Sequence, residues 1–196
     1  MKFKFFNAFI IILTLLALTF SALGTTTARA AAAWTLGTEW QIGSAAVSSG
    51  QSTGNPDPAT DHTPTADNML AGVVIGGNAS TALHGYYYLT SPMIDTSSAT
   101  GVLTFSYYRW LNSDYTPYMQ NAIDVWNGSS WVTIWSTAGT QTSDAAWTLQ
   151  SFDISAYKNA NMQIRFGFQI GSSGVWTMSS WNIDDVSIST PSQNFF

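Results

Sequence analysis

Asn161-Met162-Gln163-Ile164-Arg165-Phe166-Gly167-Phe168-Gln169-Ile170-Gly171 is the stretch that decides the fold class. Met162, Ile164, Phe166, Phe168 and Ile170 alternate with polar or small residues. That period of two gives an extended strand one apolar face and one polar face, and no helix tolerates it. Residues 101–111 repeat the pattern, with Leu103, Phe105, Tyr107 and Leu111 on one face and Arg109 interrupting it. Further strands are expected at 69–75, 85–91, 121–126, 130–135, 148–154 and 181–189. Asn127-Gly128, between two of these runs, reads as a two-residue hairpin turn, because both residues tolerate positive φ. Good helix formers are rare beyond the first thirty residues. The fold class is therefore all-β: a two-sheet antiparallel β-sandwich of jelly-roll type.

One segment breaks this rhythm. Residues 44–67 are rich in Ser, Gly, Pro, Asp and Thr and nearly free of large apolar side chains. A loop of that length inside one domain is expected to bind something or to be pinned.

The start of the chain reads as a signal. Lys2 and Lys4 precede an apolar run from Phe5 to Leu23, and Ala28-Arg29-Ala30 supplies a small-x-small cleavage site. The run is long enough for a membrane helix, but the cleavage site and the lack of a charged stop-transfer flank favour a cleaved leader. The expected domains are residues 1–30 as signal peptide and 31–196 as one sandwich. Residues 31–196 hold three basic residues against eleven acids, a formal charge of −8. That balance argues against nucleic acid or an anionic membrane as partner. There is no cysteine, which removes disulfides, thiolate–zinc sites and thiol chemistry. The expected location is secreted or periplasmic, with no membrane insertion of the mature chain.

In so uncharged a sequence, Trp181-Asn182-Ile183-Asp184-Asp185-Val186-Ser187-Ile188 stands out. Trp181 and Ile183 share one parity and Val186 and Ile188 the other, so the apolar face switches at the two acids. A strand does this only at a bulge or an edge, and a kink is expected there. Asp95, Asp114, Asp144 and Asp153 lie in turn-like settings that suit backbone capping. Asp57, between two prolines, reads as a turn residue as well, and Asp124 as a strand residue facing water. Glu39, Asp61, Asp67, Asp184 and Asp185 remain. Calcium takes six to eight oxygen ligands, commonly two or more carboxylates. A structural Ca²⁺ drawing on these acids would join the first and last strands to the long loop. The plainer alternative is that these acids cap turns separately.

The aromatic residues are too many for one core, so several must lie at the surface. Trp126, Trp176 and Tyr118 fall near turns and are the candidates for a ligand-contacting surface; the plainer alternative is that the surface rings cover a thin edge of the sandwich. Catalysis has little support. Only His62 and His84 are available as imidazole bases, and no Gly-x-Ser-x-Gly nucleophile setting appears. Asp184 and Asp185 are adjacent, so their side chains diverge rather than face each other across a glycosidic bond.

A family resemblance joins these pieces. Glu39-Trp40-Gln41, Asp61-His62-Thr63, Gly85-Tyr86, Leu89-Thr90-Ser91-Pro92, Leu103-Thr104-Phe105-Ser106-Tyr107, Trp147 and Ile183-Asp184-Asp185-Val186, in that order, resemble the MAM domain family. The chain is closer still to MAM-like, galactose-binding-like jelly rolls of secreted bacterial proteins. The resemblance implies a non-catalytic sandwich for adhesion or recognition with a structural cation at Glu39, Asp61, Asp184 and Asp185. Asn182-Ile183-Asp184 is also similar to the closing strand of calcium-containing carbohydrate-binding jelly rolls. The family's cysteines are missing here, and residues 64–83 form a longer insertion, so its disulfides and partner surface do not carry over. The expected function is an exported, calcium-stabilised recognition module, with a glycan or a surface protein as partner. A carbohydrate-binding module is the nearest alternative and a secreted hydrolase the more distant one.

Overall fold

The computed structural model describes residues 33–64 and 66–190. The leader expected at 1–30 lies outside the described residues. Eleven strands follow in chain order: β1 (Thr35–Leu36), β2 (Trp40–Ser44), β3 (Met69–Val73), β4 (His84–Thr90), β5 (Thr104–Ser113) and β6 (Met119–Trp126). They continue as β7 (Trp131–Ser136), β8 (Thr142–Ser143), β9 (Thr148–Asp153), β10 (Ile164–Ile170) and β11 (Trp181–Ser189). One 3-10 turn, Ser155–Tyr157, is the only helical element among the described residues.

The strands form two antiparallel sheets, one of order β1-β4-β10-β6-β7 and one of order β2-β3-β11-β5. The far edge of β5 pairs with β9 and, at its end, with the short β8. This is the expected jelly-roll sandwich. The core follows from the alternation: Phe105 and Tyr107 of β5, Ile123 and Val125 of β6, Phe166 and Phe168 of β10, and Trp181 and Ile183 of β11 are all buried between the sheets. Each such side chain contributes about 1.5–3 kcal/mol relative to an exposed one.

Four local readings change in the folded chain. Arg109 does not spoil its strand face; its guanidinium makes two hydrogen bonds to Asp144, 2.8 and 3.1 Å long. The Leu111 N–H donates to the same carboxylate at 2.9 Å, so Asp144 is an ion-pair partner more than a turn cap. The turn after β6 spans four residues rather than two. Its Asn127 Oδ1 accepts from the Ser129 and Ser130 N–H groups, which holds the wider loop closed. Asp124 does not face water: it is buried, paired with Arg165 at 2.8 Å and bonded by the Thr133 hydroxyl at 2.7 Å.

The kink in the last strand is present. The pairing of β11 with β5 shifts register between Asp184 and Ser187, and Asp185 has φ +48°. Up to Ile183 the strand lies between β3 and β5; beyond the bulge it pairs with β5 alone.

The long loop between β2 and β3 lies against the outer face of the β2-β3-β11-β5 sheet. The indole N–H groups of Trp110 and Trp147 donate to the carbonyls of Pro56 and Thr60 at 3.0 and 3.2 Å. Its anchor is Asp57, read from the sequence as a turn residue and here 2% exposed. Asp57 accepts from Ser180 Oγ at 2.8 Å, Asn182 Nδ2 at 2.8 Å and the Gly76 N–H at 3.0 Å. Burial pushes the carboxyl of Asp57 up, and these bonds pull it part of the way back. Gly72 makes room for this arrangement, since a Cβ there would come within 2.5 Å of Asn182 Oδ1.

Candidate functional site

The four acids expected to share a cation are not brought together. Asp184 accepts the His62 N–H at 2.7 Å and the Asp185 N–H at 2.8 Å. Asp185 lies 2.7 Å from His62 Nδ1 and accepts the Thr63 hydroxyl. Partial burial pushes the Asp185 carboxyl up, but the bonds from Thr63 and His62 outweigh this and leave it below the ordinary aspartate value. The His62 ring stacks on Tyr108 with centroids 3.3 Å apart. The pair at the kink therefore clasps the end of the long loop. Asp61 is buried beside this clasp, and its N–H donates to Asn68 Oδ1 at 2.8 Å.

Glu39 sits elsewhere. Its carboxylate accepts the Ser80 N–H at 3.2 Å, and its own carbonyl accepts the Val74 N–H at 2.9 Å. In the register of β3, Trp40 opposes Val73 while Ile183 opposes Ala71. Glu39 therefore lies beyond one end of β3 and Asp184 towards the other, on opposite sides of that strand and offset by roughly 13 Å along it at 3.3 Å per residue. Among the described residues, no group of three or more His, Cys, Asp or Glu could hold a metal ion. The donor set does not fit the expected calcium site. Sequence order suggested a cluster, but strand register separates it.

The aromatic candidates divide in the same way. Trp126 belongs to a packed row on the outer face of the β1-β4-β10-β6-β7 sheet. Tyr86 and Tyr88 lie near-parallel with centroids 5.5 Å apart. The Arg165 guanidinium sits 3.8 Å from the Tyr88 ring and 4.2 Å from Trp131, and Trp131 meets Trp126 at 5.6 Å. Gly167 is required beneath this row, because a Cβ there would come within 2.5 Å of Tyr88 Cε1. Burial raises the pKa of the Tyr88 hydroxyl, and the nearby Arg165 lowers it in part. The ring faces here are largely spent on one another and on Arg165.

Tyr118 and Trp176 lie on the β5–β6 and β10–β11 connections, which come together at one end of the sandwich. The buried Asp114 organises that corner, accepting the Tyr115 N–H at 2.8 Å through Oδ1 and the Trp176 N–H at 3.0 Å through Oδ2. The next residue is also held: the Ser52 N–H donates to the Thr177 carbonyl at 2.8 Å, and the Thr177 N–H donates to Ser52 Oγ at 2.9 Å. Tyr115 and Tyr118 pack edge to face, 5.1 Å apart. Trp176 is 55% exposed and enters no ring contact among the described residues. Tyr115 is one of many aromatics in the sequence, and only Tyr-Thr-Pro-Tyr in one turn sets it apart; Asp114 looks like a local cap, yet its bond to Trp176 spans 62 residues.

No protein-family model matches the chain, and no curated protein matches it. Solved structures share its outline. SGBP-B from a complex xyloglucan utilization locus in Bacteroides uniformis is 12% identical, with TM-score 0.48, over 79% of this chain and 46% of that one. This chain thus spans less than half of that protein. The K2 cleaved adhesin domain of Lys-gingipain is 14% identical, with TM-score 0.46, over 86% of this chain and 95% of that one. TmCBM61 in complex with beta-1,4-galactotriose is 12% identical, with TM-score 0.42, over 79% and 90%. At these scores and identities the likenesses carry no argument about ligand or activity.

Proposed function

We propose that this chain is a non-catalytic binding module that takes a glycan at the Trp176 corner. The observation that carries the reading is Trp176 itself: an exposed indole with no ring partner among the described residues, on a backbone held at Trp176 by Asp114 and at Thr177 by Ser52. An aromatic anchor on a fixed backbone loses little freedom on binding and offers its face to the apolar C–H side of a sugar ring. Tyr115 and Tyr118 beside it supply hydroxyls for hydrogen bonding.

Two features support a non-enzyme. His62 is held between Asp185 and Tyr108, and His84 Nδ1 turns to the Gly85 carbonyl while its ring stacks on Tyr87. The nearby Thr63 hydroxyl donates to Asp185 rather than to His62, and among the described residues neither imidazole is hydrogen-bonded to a hydroxyl. Export, to the periplasm or outside the cell, follows the leader pattern at 1–30, and among the described residues no helix is long and apolar enough to cross a membrane. The finer MAM-like assignment rests on the ordered sequence motifs. Calcium is not needed for this reading, since hydrogen bonds already hold the loop and the last strand.

Polysaccharide affinity electrophoresis and a glycan array test the proposal. Trp176→Ala should abolish retention while leaving thermal stability nearly unchanged, whereas Trp126→Ala should retain binding. Retention that survives Trp176→Ala and disappears with Trp126→Ala would move the site to the sheet face. Binding to a cell-surface protein but to no glycan would refute the ligand class.

A further inference from the structure

The departure of β11 from β3 leaves a second surface, independent of the glycan reading. Two adjoining hollows of about 350 and 310 Å³ share Trp34 and Val186. Their walls are mainly apolar, and Ile42, Met69 and Val186 are each more than one-third exposed. Beside them runs an open strand edge. Past the bulge, Ser187, Ile188 and Ser189 pair with β5 on one side, and β3 reaches only as far as Ile183 on the other. No backbone hydrogen bond among the described residues occupies that second side of residues 186–189. Backbone donors and acceptors along such an edge pair readily with an added strand.

The rim selects the partner by charge. Asp184 and Asp185 line one end of the cleft. Each Asp184 oxygen accepts one hydrogen bond, which leaves further acceptor capacity on an ionised carboxylate. The basic side chains among the described residues are occupied elsewhere: Arg109 on Asp144, Arg165 on Asp124, and Lys158 on the Gly101 carbonyl. The cleft is therefore apolar along its length and acidic at one end.

We infer that this cleft docks an extended polypeptide segment of a partner, added as a strand along Val186–Ser189. Its alternate apolar side chains fill the cleft, and a Lys or Arg reaches Asp184 and Asp185. A glycan fits this place poorly, since Trp34 is its only aromatic residue and packs near Phe166, with centroids 6.2 Å apart.

The test titrates isotopically labelled protein with three capped peptides while amide shifts are followed. The probes are Lys-Val-Thr-Val-Thr-Val, the same peptide with Glu for Lys, and a version with Pro at the adjacent third and fourth positions, which blocks both N–H sides of the strand. The Lys peptide should shift the amides of residues 186–189 saturably. The Glu peptide should bind roughly threefold more weakly or worse, the share a solvent-screened ion pair supplies. The Pro peptide, which cannot extend the ladder, should not bind. Val186→Lys should abolish the effect without loss of thermal stability, because Val186 is already 38% exposed; Asp184→Asn should weaken the Lys preference, since Asp185 remains. No shift with any peptide, or equal binding by the Pro version, overturns the inference. So does protection of the 186–189 amides in the free protein, which would show the edge filled by this chain, or concentration-dependent shifts without peptide, which would show a second copy there.

Discussion

Asp57→Ala is the sharpest test of what pins the long loop. The substitution removes one carboxylate that accepts from Ser180, Asn182 and Gly76. Ser180 and Asn182 are buried, so their donors are left without water as well as without a partner. Leaving a buried donor unmade costs about 1–3 kcal/mol, so orphaning these three donors costs roughly 3–6 kcal/mol in total. The carboxylate's own desolvation, visible in its raised pKa, offsets part of this and makes the lower end the better expectation. A loss of about 3 kcal/mol lowers the midpoint of a domain this size by roughly 6–12 °C. Urea denaturation followed by tryptophan fluorescence reads it directly. Asp57→Asn retains one acceptor but aims an amide N–H at a donor, so it should fall between wild type and alanine. The pH dependence has a definite sign. Because the folded pKa is raised, the native state binds more protons than the unfolded one between the two values. Asp57's contribution to stability therefore rises as pH falls from its folded value towards about 3.9, the unfolded value. The gap between wild type and Asp57→Asn should widen over that window. A loss below about 1 kcal/mol for Asp57→Ala, or a gap that narrows on acidification, would falsify the anchor.

Three further outcomes follow from the geometry. Asp185 behaves oppositely to Asp57: its folded pKa is depressed, so its contribution is present above about pH 4 and is lost as pH falls through the folded value. The stability difference between wild type and Asp185→Asn should accordingly vanish in acid, which a pH series of thermal melts checks. Gly167→Ala should cost about 1–3 kcal/mol by forcing the Tyr88 ring off the strand, measurable by denaturant titration. EDTA should leave the melting temperature within about 1 °C, given that no three acidic or histidine side chains converge among the described residues. A large fall in scanning calorimetry would restore the calcium site.

Much of this protein is decided locally. The alternation in Met162 to Ile170 sets a strand whatever surrounds it, because side chains at i and i+2 share a face by backbone geometry alone. The parity switch between Ile183 and Val186 sets the kink by the same rule, and the observed φ of +48° at Asp185 shows how the backbone meets it. Three elements escaped this reading: β1 and β8 have two residues each, and β2 is Trp-Gln-Ile-Gly-Ser with a glycine in its run. Such segments are too short or too mixed for a period to show.

Partnership between distant residues had to wait for the fold. Asp57 and Asn182 are 125 positions apart, and Asp114 and Trp176 are 62 apart; no local pattern marks either pair. Glu39 and Asp184 were grouped because both are acids near chain-end strands, and the register of β3 placed them apart. Trp126 and Trp176 look alike in sequence, yet one ring is packed against Trp131 and the other is open to solvent. Periodicity tells which way a side chain points from its own strand, while sheet order and loop path decide what stands opposite it. That is why the sandwich and its kinked last strand could be read from the residues, whereas the loop anchor and the exposed corner became visible only once the sheets were assembled.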